Sequence, residues 1–395
     1  MQNFSFKNPT KIIFGKGSIA KLSREIPQNA RVLLLFGGGS VKRNGVYDQV
    51  KAALDGYTIT EFWGIESNPT VETCREAIAL GREKQCDFVL AVGGGSVIDA
   101  AKLITASLRS DKEPWSIVTS GVARGPFVPF GTVLTIPATG SEMNCGSVIS
   151  RRETNEKFAF HGQFPAFSVI DPEATYSLPK YQLACGIADS FAHVLEQYMT
   201  FPGQSRVMDR WAEGLLLTLL EIAPKIVWEE PDYDLRCDFC ITATMALNRF
   251  IAWGVVEDWA THMIGHELTA LTGITHGHSL AIIFPALLRV TKECGKHDKL
   301  LQYAERIWHI AEGSEEERIE AAIDKTEAFF RSLGLETRLE EKGIQENTIN
   351  EIVRRFKERD VHYGEAELVD ASLTEQILHS AFPKSEKLPA IQPFE

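Results

Sequence analysis

Two stretches of this chain share one plan. Arg31-Val-Leu-Leu-Leu-Phe36 closes in Gly37-Gly-Gly-Ser40, and Asp87-Phe-Val-Leu-Ala-Val92 closes in Gly93-Gly-Gly-Ser96. An apolar run without alternation reads as a strand buried on both faces, and such strands occur in parallel sheets covered by helices. The surrounding residues fit that architecture. One or two short strands are predicted between Phe4 and Phe14, with further strands at Tyr57 to Trp63 and Val133 to Ile136. Helices are predicted at Ser18 to Ile26, about Gly45 to Leu54, Thr70 to Lys84 and Val97 to Ser107. Strands alternating with helices build an α/β domain.

The pattern changes near Asp171-Pro172 and Leu178-Pro179. From about Tyr181 onward the apolar periodicity is helical, over Trp211 to Ala223, Leu235 to Phe250, Leu300 to Ala311, Ser314 to Leu333 and Thr348 to Phe356. The expected organisation is an α/β domain over 1–180 and an all-helical domain over 181–395. Ser314-Glu-Glu-Glu reads as a capped acidic first turn.

Composition narrows the classes. With 24% charged and 44% apolar residues the chain is typical of globular enzymes. A net charge of −12 argues against nucleic acid as a main partner. No apolar run reaches the length of a membrane span, and the N-terminus lacks the apolar segment of a signal peptide, so a cytoplasmic protein is expected. Seven scattered cysteines do not make a disulfide framework. Cys237-Asp-Phe-Cys240 falls inside a helical stretch with no second pair near it.

Chemistry concentrates between Asp258 and Ser279, which hold four of the ten histidines. His262 and His266 share one helix face at i,i+4, Gly273 offers a helix stop, and His276 follows in a turn into the next apolar run. Upstream, Asp189 and His193 are again i,i+4 on a predicted helix. A carboxylate and imidazoles drawn from separate elements suit Zn²⁺ or Fe²⁺, and three neutral imidazoles with one carboxylate leave about one positive charge to hold an anionic oxygen. Such pairs also occur as plain surface or core residues.

The glycine turns have their own reading. Strand-to-helix turns rich in glycine let a phosphate approach the backbone and the helix N-terminus, although tight turns want glycine for steric reasons too. A strict G-x-G-x-x-G is absent. Both turns follow strands of one parallel sheet, whose carboxyl ends are where ligands of such sheets bind.

Taken in order, Gly93-Gly-Gly-Ser-Val-Ile-Asp-Ala-Ala-Lys102, Pro137-Ala-Thr-Gly-Ser-Glu142, Asp189 with His193, and His262 with His266 and His276-Gly277 resemble the iron-dependent alcohol dehydrogenase family. The opening Phe14-Gly-Lys-Gly17 and the Gly37-Gly-Gly-Ser40 turn look most like its branch of NADPH-dependent aldehyde reductases and butanol dehydrogenases. The resemblance implies a Rossmann-like, dehydroquinate synthase-like α/β domain binding the dinucleotide, a helical metal domain, an active site in the cleft between them, and a homodimer. It implies metal ligation by Asp189, His193, His262 and His276. It implies dinucleotide contacts at Gly94, Gly95, Ser96, Asp99, Thr135 and Thr139, with Lys157 near the nicotinamide ribose. His266 matches a histidine beside the nicotinamide, not a ligand in most members, with a proton relay or a packing role open to it.

Two departures matter. Where the family often has an Asp after an early strand, this chain has Gly38, which favours NADPH over NADH, with Gly37, Ser40, Lys42 and Arg43 as the surroundings of a 2′-phosphate. After His276 the chain reads Gly277-His278-Ser279, and a hydrogen-bonded or solvent-facing His278 is expected over one in the cleft. The expected activity is metal-assisted hydride transfer between NADPH and small aldehydes or primary alcohols. A lyase or synthase on the same metal-plus-dinucleotide scaffold, a metal hydrolase and a non-catalytic sensor stand as alternatives. Three imidazoles and a carboxylate suit iron and zinc alike.

Overall fold

The computed structural model describes residues 1–383 and 389–394; the rest of the region expected to run to 395 lies outside the described residues. The chain forms two compact units. One comprises Lys7–Leu178 with Pro231–Asn248, the other Met1–Phe6, Pro179–Glu230 and Arg249–Glu395.

The first unit is built on a six-stranded parallel sheet in the order β1-β8-β5-β4-β2-β3. Its strands are β1 (Lys11–Phe14), β2 (Arg31–Phe36), β3 (Thr58–Phe62), β4 (Phe88–Gly93), β5 (Phe130–Leu134) and β8 (Phe167–Ile170). Between β5 and β8, β6 (Gly146–Arg151) and β7 (Glu156–His161) form a separate antiparallel hairpin. The helices are α1 (Ser40–Arg43), α2 (Val46–Ala53), α3 (Val71–Glu83), α4 (Gly95–Ser107), α5 (Pro114–Thr119) and, from the later segment, α8 (Tyr233–Ala246).

The unbroken apolar run of β2 follows from burial on both faces. Leu33 and Leu35 pack with Val89 and Ala91 of β4 against α3 and α4. Val32, Leu34 and Phe36 pack with Leu90 and Val92 on the other face, with Val46 and Val50 of α2. Helix α3 starts where Thr70 accepts a hydrogen bond from the Thr73 backbone N–H at 3.3 Å.

Several details correct the sequence reading. Between Phe4 and Phe14 only Lys11–Phe14 forms a strand, because Phe4 and Phe6 instead pack on Trp253 within the second unit (ring centroids 5.8 and 4.9 Å). Ser18–Arg24 is a 3-10 helix. Helix α8, read with the helical half, belongs to the first unit: Thr244 donates to the buried Glu142 at 2.5 Å, and Leu247 accepts from Asn144 at 3.0 Å.

The second unit is helical: α6 (Lys180–Tyr198), α7 (Arg206–Trp228), α9 (Ala260–Thr272), α10 (His276–Thr291), α11 (His297–Arg306), α12 (Glu315–Ser332), α13 (Glu346–Glu358) and α14 (Ala371–Ala381). Ser314 and Glu317 form a capping box on α12. Ala260, Ile264 and Leu268, four apart on α9, join a core with α10, α13 and α14. That leaves His262 and His266, two positions out of phase, on another face. Gly273 ends α9 in the left-handed region (φ 73°), where glycine carries no steric penalty.

Candidate active site

Three helices of the second unit bring one carboxylate and three imidazoles together. Asp189 and His193 lie on successive turns of α6, His262 on the first turn of α9, and His276 opens α10. Asp189 Oδ1 lies 3.6 Å from His193 Nε2, 3.7 Å from His262 Nε2 and 3.7 Å from His276 Nε2. Asp189, His193 and His262 are buried and His276 is partly buried. Among the described residues, Asp189, His262 and His276 form the set whose donor atoms all lie within 4.8 Å of one another. His193 stands outside that set although it approaches the same oxygen; its ring stacks nearly parallel on His262 (4.5 Å, 20°), which sets the two ring edges side by side. One carboxylate atom thus sees all three imidazoles.

The donor set fits a divalent ion. His262 Nε2 is buried and makes no hydrogen bond among the described residues, and 3.7 Å to Asp189 is too long for one. Burial holds the His193 imidazole neutral, pushed down to about 4 against the pull of Asp189. Burial acts the same way on His262, but Glu196 first and Asp189 with it outweigh it and raise that ring to about 9. Neutral His193 and the unpaired His262 Nε2 edge thus face the Asp189 carboxylate, a donor set that a divalent cation would complete.

Local chain conformation sets this geometry. Trp259, just before α9, adopts a left-handed φ of 68°, unusual for a bulky residue, and its ring lies edge-on to His262 at 5.3 Å. The neighbouring Asp258 carboxylate accepts from the Ala260 N–H, the first of α9, at 2.7 Å. His266 is buried one turn on, with its ring 5.0 Å from His276 and 6.2 Å from His262. His278 is fully buried, bonded to the Tyr181 hydroxyl at 3.1 Å and the Glu336 carbonyl at 3.0 Å, so the hydrogen-bonded alternative holds and the solvent-facing one does not. Cys240 is buried and Cys237 partly so, both with thiols raised by burial, which suits packing over redox chemistry.

The glycine turns lie in the first unit, at the carboxyl ends of β2 and β4. A Cβ on Gly94 would stand 2.9 Å from Ile136, and one on Gly95 2.4 Å from Thr139 Oγ1, so both glycines are required for the approach of two loops. Ser96 lies in the first turn of α4. The Thr135 N–H bonds to the Gly93 carbonyl at 3.0 Å. Asp99 spends both oxygens within the protein, on Ser141 (2.5 Å) and the Val148 N–H (2.9 Å), which ties α4 to the hairpin. Lys157 on β7 bonds to Asn68 at 2.9 Å. At the earlier turn, Gly38 and Ser40 are exposed, Gly37 is partly exposed, and nothing lies within 4 Å of a Cβ added to Gly38. Lys42 is held over the Trp63 ring at 4.0 Å, and Arg43 is exposed.

Sequence reasoning missed Glu196 and Asn68. Glu196 follows Asp189 and His193 at i+7 and i+3 on one helix face, a spacing that marks it out. Asn68 precedes Pro69 with a left-handed φ of 57°, and Asn-Pro is the available signal.

Fold and site together define a class, and comparison with known proteins gives it a family. Iron-containing alcohol dehydrogenase matches residues 9–172, and the C-terminal region of the Fe-containing alcohol dehydrogenase family matches 183–382. The chain belongs to that family of oxidoreductases. It is 48% identical over 387 residues to the NADPH-dependent aldehyde reductase YqhD of Escherichia coli, covering 96% of this chain and 100% of the relative. It is 43% identical over 359 residues to a probable NADH-dependent butanol dehydrogenase of Bacillus subtilis, covering 89% and 92%. The crystal structure of E. coli YqhD matches with a TM-score of 0.94 at 47% identity over 96% and 99% of the two chains. That of the Thermotoga maritima NADH-dependent butanol dehydrogenase A matches at 0.92 and 34% over 97% and 99%.

Proposed function

We propose that this chain is a metal-dependent reductase that transfers hydride from NADPH to small aldehydes, giving primary alcohols. One observation carries the reading: a single buried carboxylate oxygen, Asp189 Oδ1, within 3.7 Å of the Nε2 atoms of three histidines. Asp189, His193, His262 and His276 hold one Fe²⁺ or Zn²⁺ per chain. The α/β unit holds the dinucleotide through Gly94, Gly95, Ser96, Thr135, Thr139 and Lys157, with Gly37, Gly38 and Ser40 at the adenosine end. Asp99 serves by ordering that wall. The identity to an NADPH-dependent aldehyde reductase supports the cofactor and substrate class.

When bound, the ion supplies Lewis acidity to the substrate oxygen and the nicotinamide supplies the hydride. The chain's own residues do the rest. With a divalent ion bound, the single carboxylate of Asp189 would leave the centre about one positive charge, suited to an anionic oxygen. Burial of Asp189, His193 and His262 keeps water from competing at the centre. To His266, whose ring lies 5.0 Å from that of His276, we assign the proton relay toward the product oxygen. We propose that the enzyme works as a homodimer in the cytoplasm; among the described residues no helix is long and apolar enough to cross a membrane.

The test is metal analysis of freshly purified protein with NADPH oxidation on a panel of short aliphatic aldehydes. About one equivalent of iron or zinc and saturable aldehyde-dependent oxidation are expected. Absence of NADPH oxidation with every aldehyde, while another substrate class turns over, would end this reading. Release of product without net use of NADPH would favour a lyase.

A further inference from the structure

We propose that Glu196 is a positioning residue of the metal centre, whose carboxylate holds His262 in the tautomer protonated on Nδ1 so that the Nε2 lone pair faces Asp189. The inference rests on the metal reading above and concerns a residue outside the ligand set.

Glu196 is 1% exposed, and both its oxygens go to one residue. Oε1 accepts from the His262 backbone N–H at 3.2 Å, and Oε2 accepts from Nδ1 of the ring. Its own carbonyl accepts from the Asp258 N–H at 3.0 Å, one residue before the left-handed Trp259. Glu196 therefore fixes both where α9 begins and how the His262 ring is turned. An ionised carboxylate can only accept, so Nδ1 must donate, and in the neutral ring that ligates a metal the lone pair is left on Nε2. The same hydrogen bond makes Nε2 a stronger donor to a metal. His193 has no such support, since its Nδ1 makes no hydrogen bond among the described residues. A glutamine at 196 could turn its NH₂ toward Nδ1 and allow the wrong tautomer, at nearly unchanged volume.

The experiment measures Zn²⁺ affinity of the metal-stripped protein by chelator competition, and the Co²⁺ ligand-field spectrum. It uses the full-length wild type, Asp189→Asn, Glu196→Gln and Glu196→Asp, with thermal melting of each metal-free protein. Glu196→Gln should weaken Zn²⁺ binding about 10- to 100-fold and shift the Co²⁺ bands. Glu196→Asp keeps an acceptor-only charge on a shorter stem and should weaken it less. If Glu196→Gln binds Zn²⁺ like wild type while Asp189→Asn does not, the inference alone is overturned. If wild type binds no tighter than Asp189→Asn, the metal reading falls and the inference with it. Should Glu196→Gln fail to fold, Glu196→Asp decides, and an unchanged affinity there overturns the proposal.

Discussion

Replacing Gly38 by Asp isolates the electrostatic part of cofactor choice. A Cβ at Gly38 meets nothing within 4 Å, and its backbone lies outside the left-handed region, so aspartate fits without strain. Gly39 next to it has φ 93° and could not take the change so cleanly. The added carboxylate would face the 2′-phosphate proposed to lie at this turn. Two unit charges about 4 Å apart repel by roughly 1 kcal/mol in water and about 4 kcal/mol at an effective dielectric near 20. The turn is exposed, which places the effect near the lower end, but a phosphate carries about 1.5 to 2 charges. A loss of roughly 1.5 to 4 kcal/mol follows, or about 10- to 1000-fold in kcat/KM for NADPH. NADH should be unchanged or improved, because the carboxylate can accept from ribose hydroxyls. The assay compares kcat/KM for NADPH and NADH in wild type, Gly38→Asp and Gly38→Ala at low and high salt. The alanine variant should resemble wild type, and salt should shrink the aspartate effect. A wild type preferring NADH, or a folded Gly38→Asp enzyme with an unchanged cofactor ratio, would refute the reasoning.

Other outcomes follow from the same geometry. His276→Ala should remove both metal and activity, whereas His266→Ala should keep the metal and turn over more slowly; metal content beside steady-state rates separates them, and a His276→Ala protein with full metal and rate would sink the assignment. Gly95→Ala puts a methyl 2.4 Å from Thr139 Oγ1, an overpacking worth about 1 to 3 kcal/mol. It should lower the melting temperature and raise KM for NADPH, and an unaltered melting curve would contradict the packing. Burial pushes the Glu365 carboxyl up to about 7, with Lys296 opposing and Asp258 adding. Its folded value lies above its unfolded one, so its contribution is present below the ordinary 4.5 and lost as pH rises through about 7. Glu365→Gln should therefore gain about 2 to 3 kcal/mol on wild type between pH 5 and pH 8; denaturant midpoints that shift in parallel for both would count against it.

Strand β2, the helix stop at Gly273 and the i,i+4 pairs Asp189/His193 and His262/His266 were legible because each depends on local rules. A strand buried on both faces needs an unbroken apolar run, a left-handed helix end favours glycine, and residues four apart share a helix face. What escaped was decided by distance in space. Strand β8 has four residues and is a strand because β1 and β5 flank it. Helix α8 has helical periodicity like its neighbours in the chain, yet it joins the α/β unit through contacts such as Thr244 with Glu142. Asp99 carries the family motif, but only tertiary contacts to Ser141 and Val148 show its carboxylate already engaged. The order of residues named the histidines that could hold a metal and put Glu196 on the face of Asp189 and His193; the packing of α6 against α9 decided that it turns His262, because a partner sixty-six positions away leaves no periodicity to read.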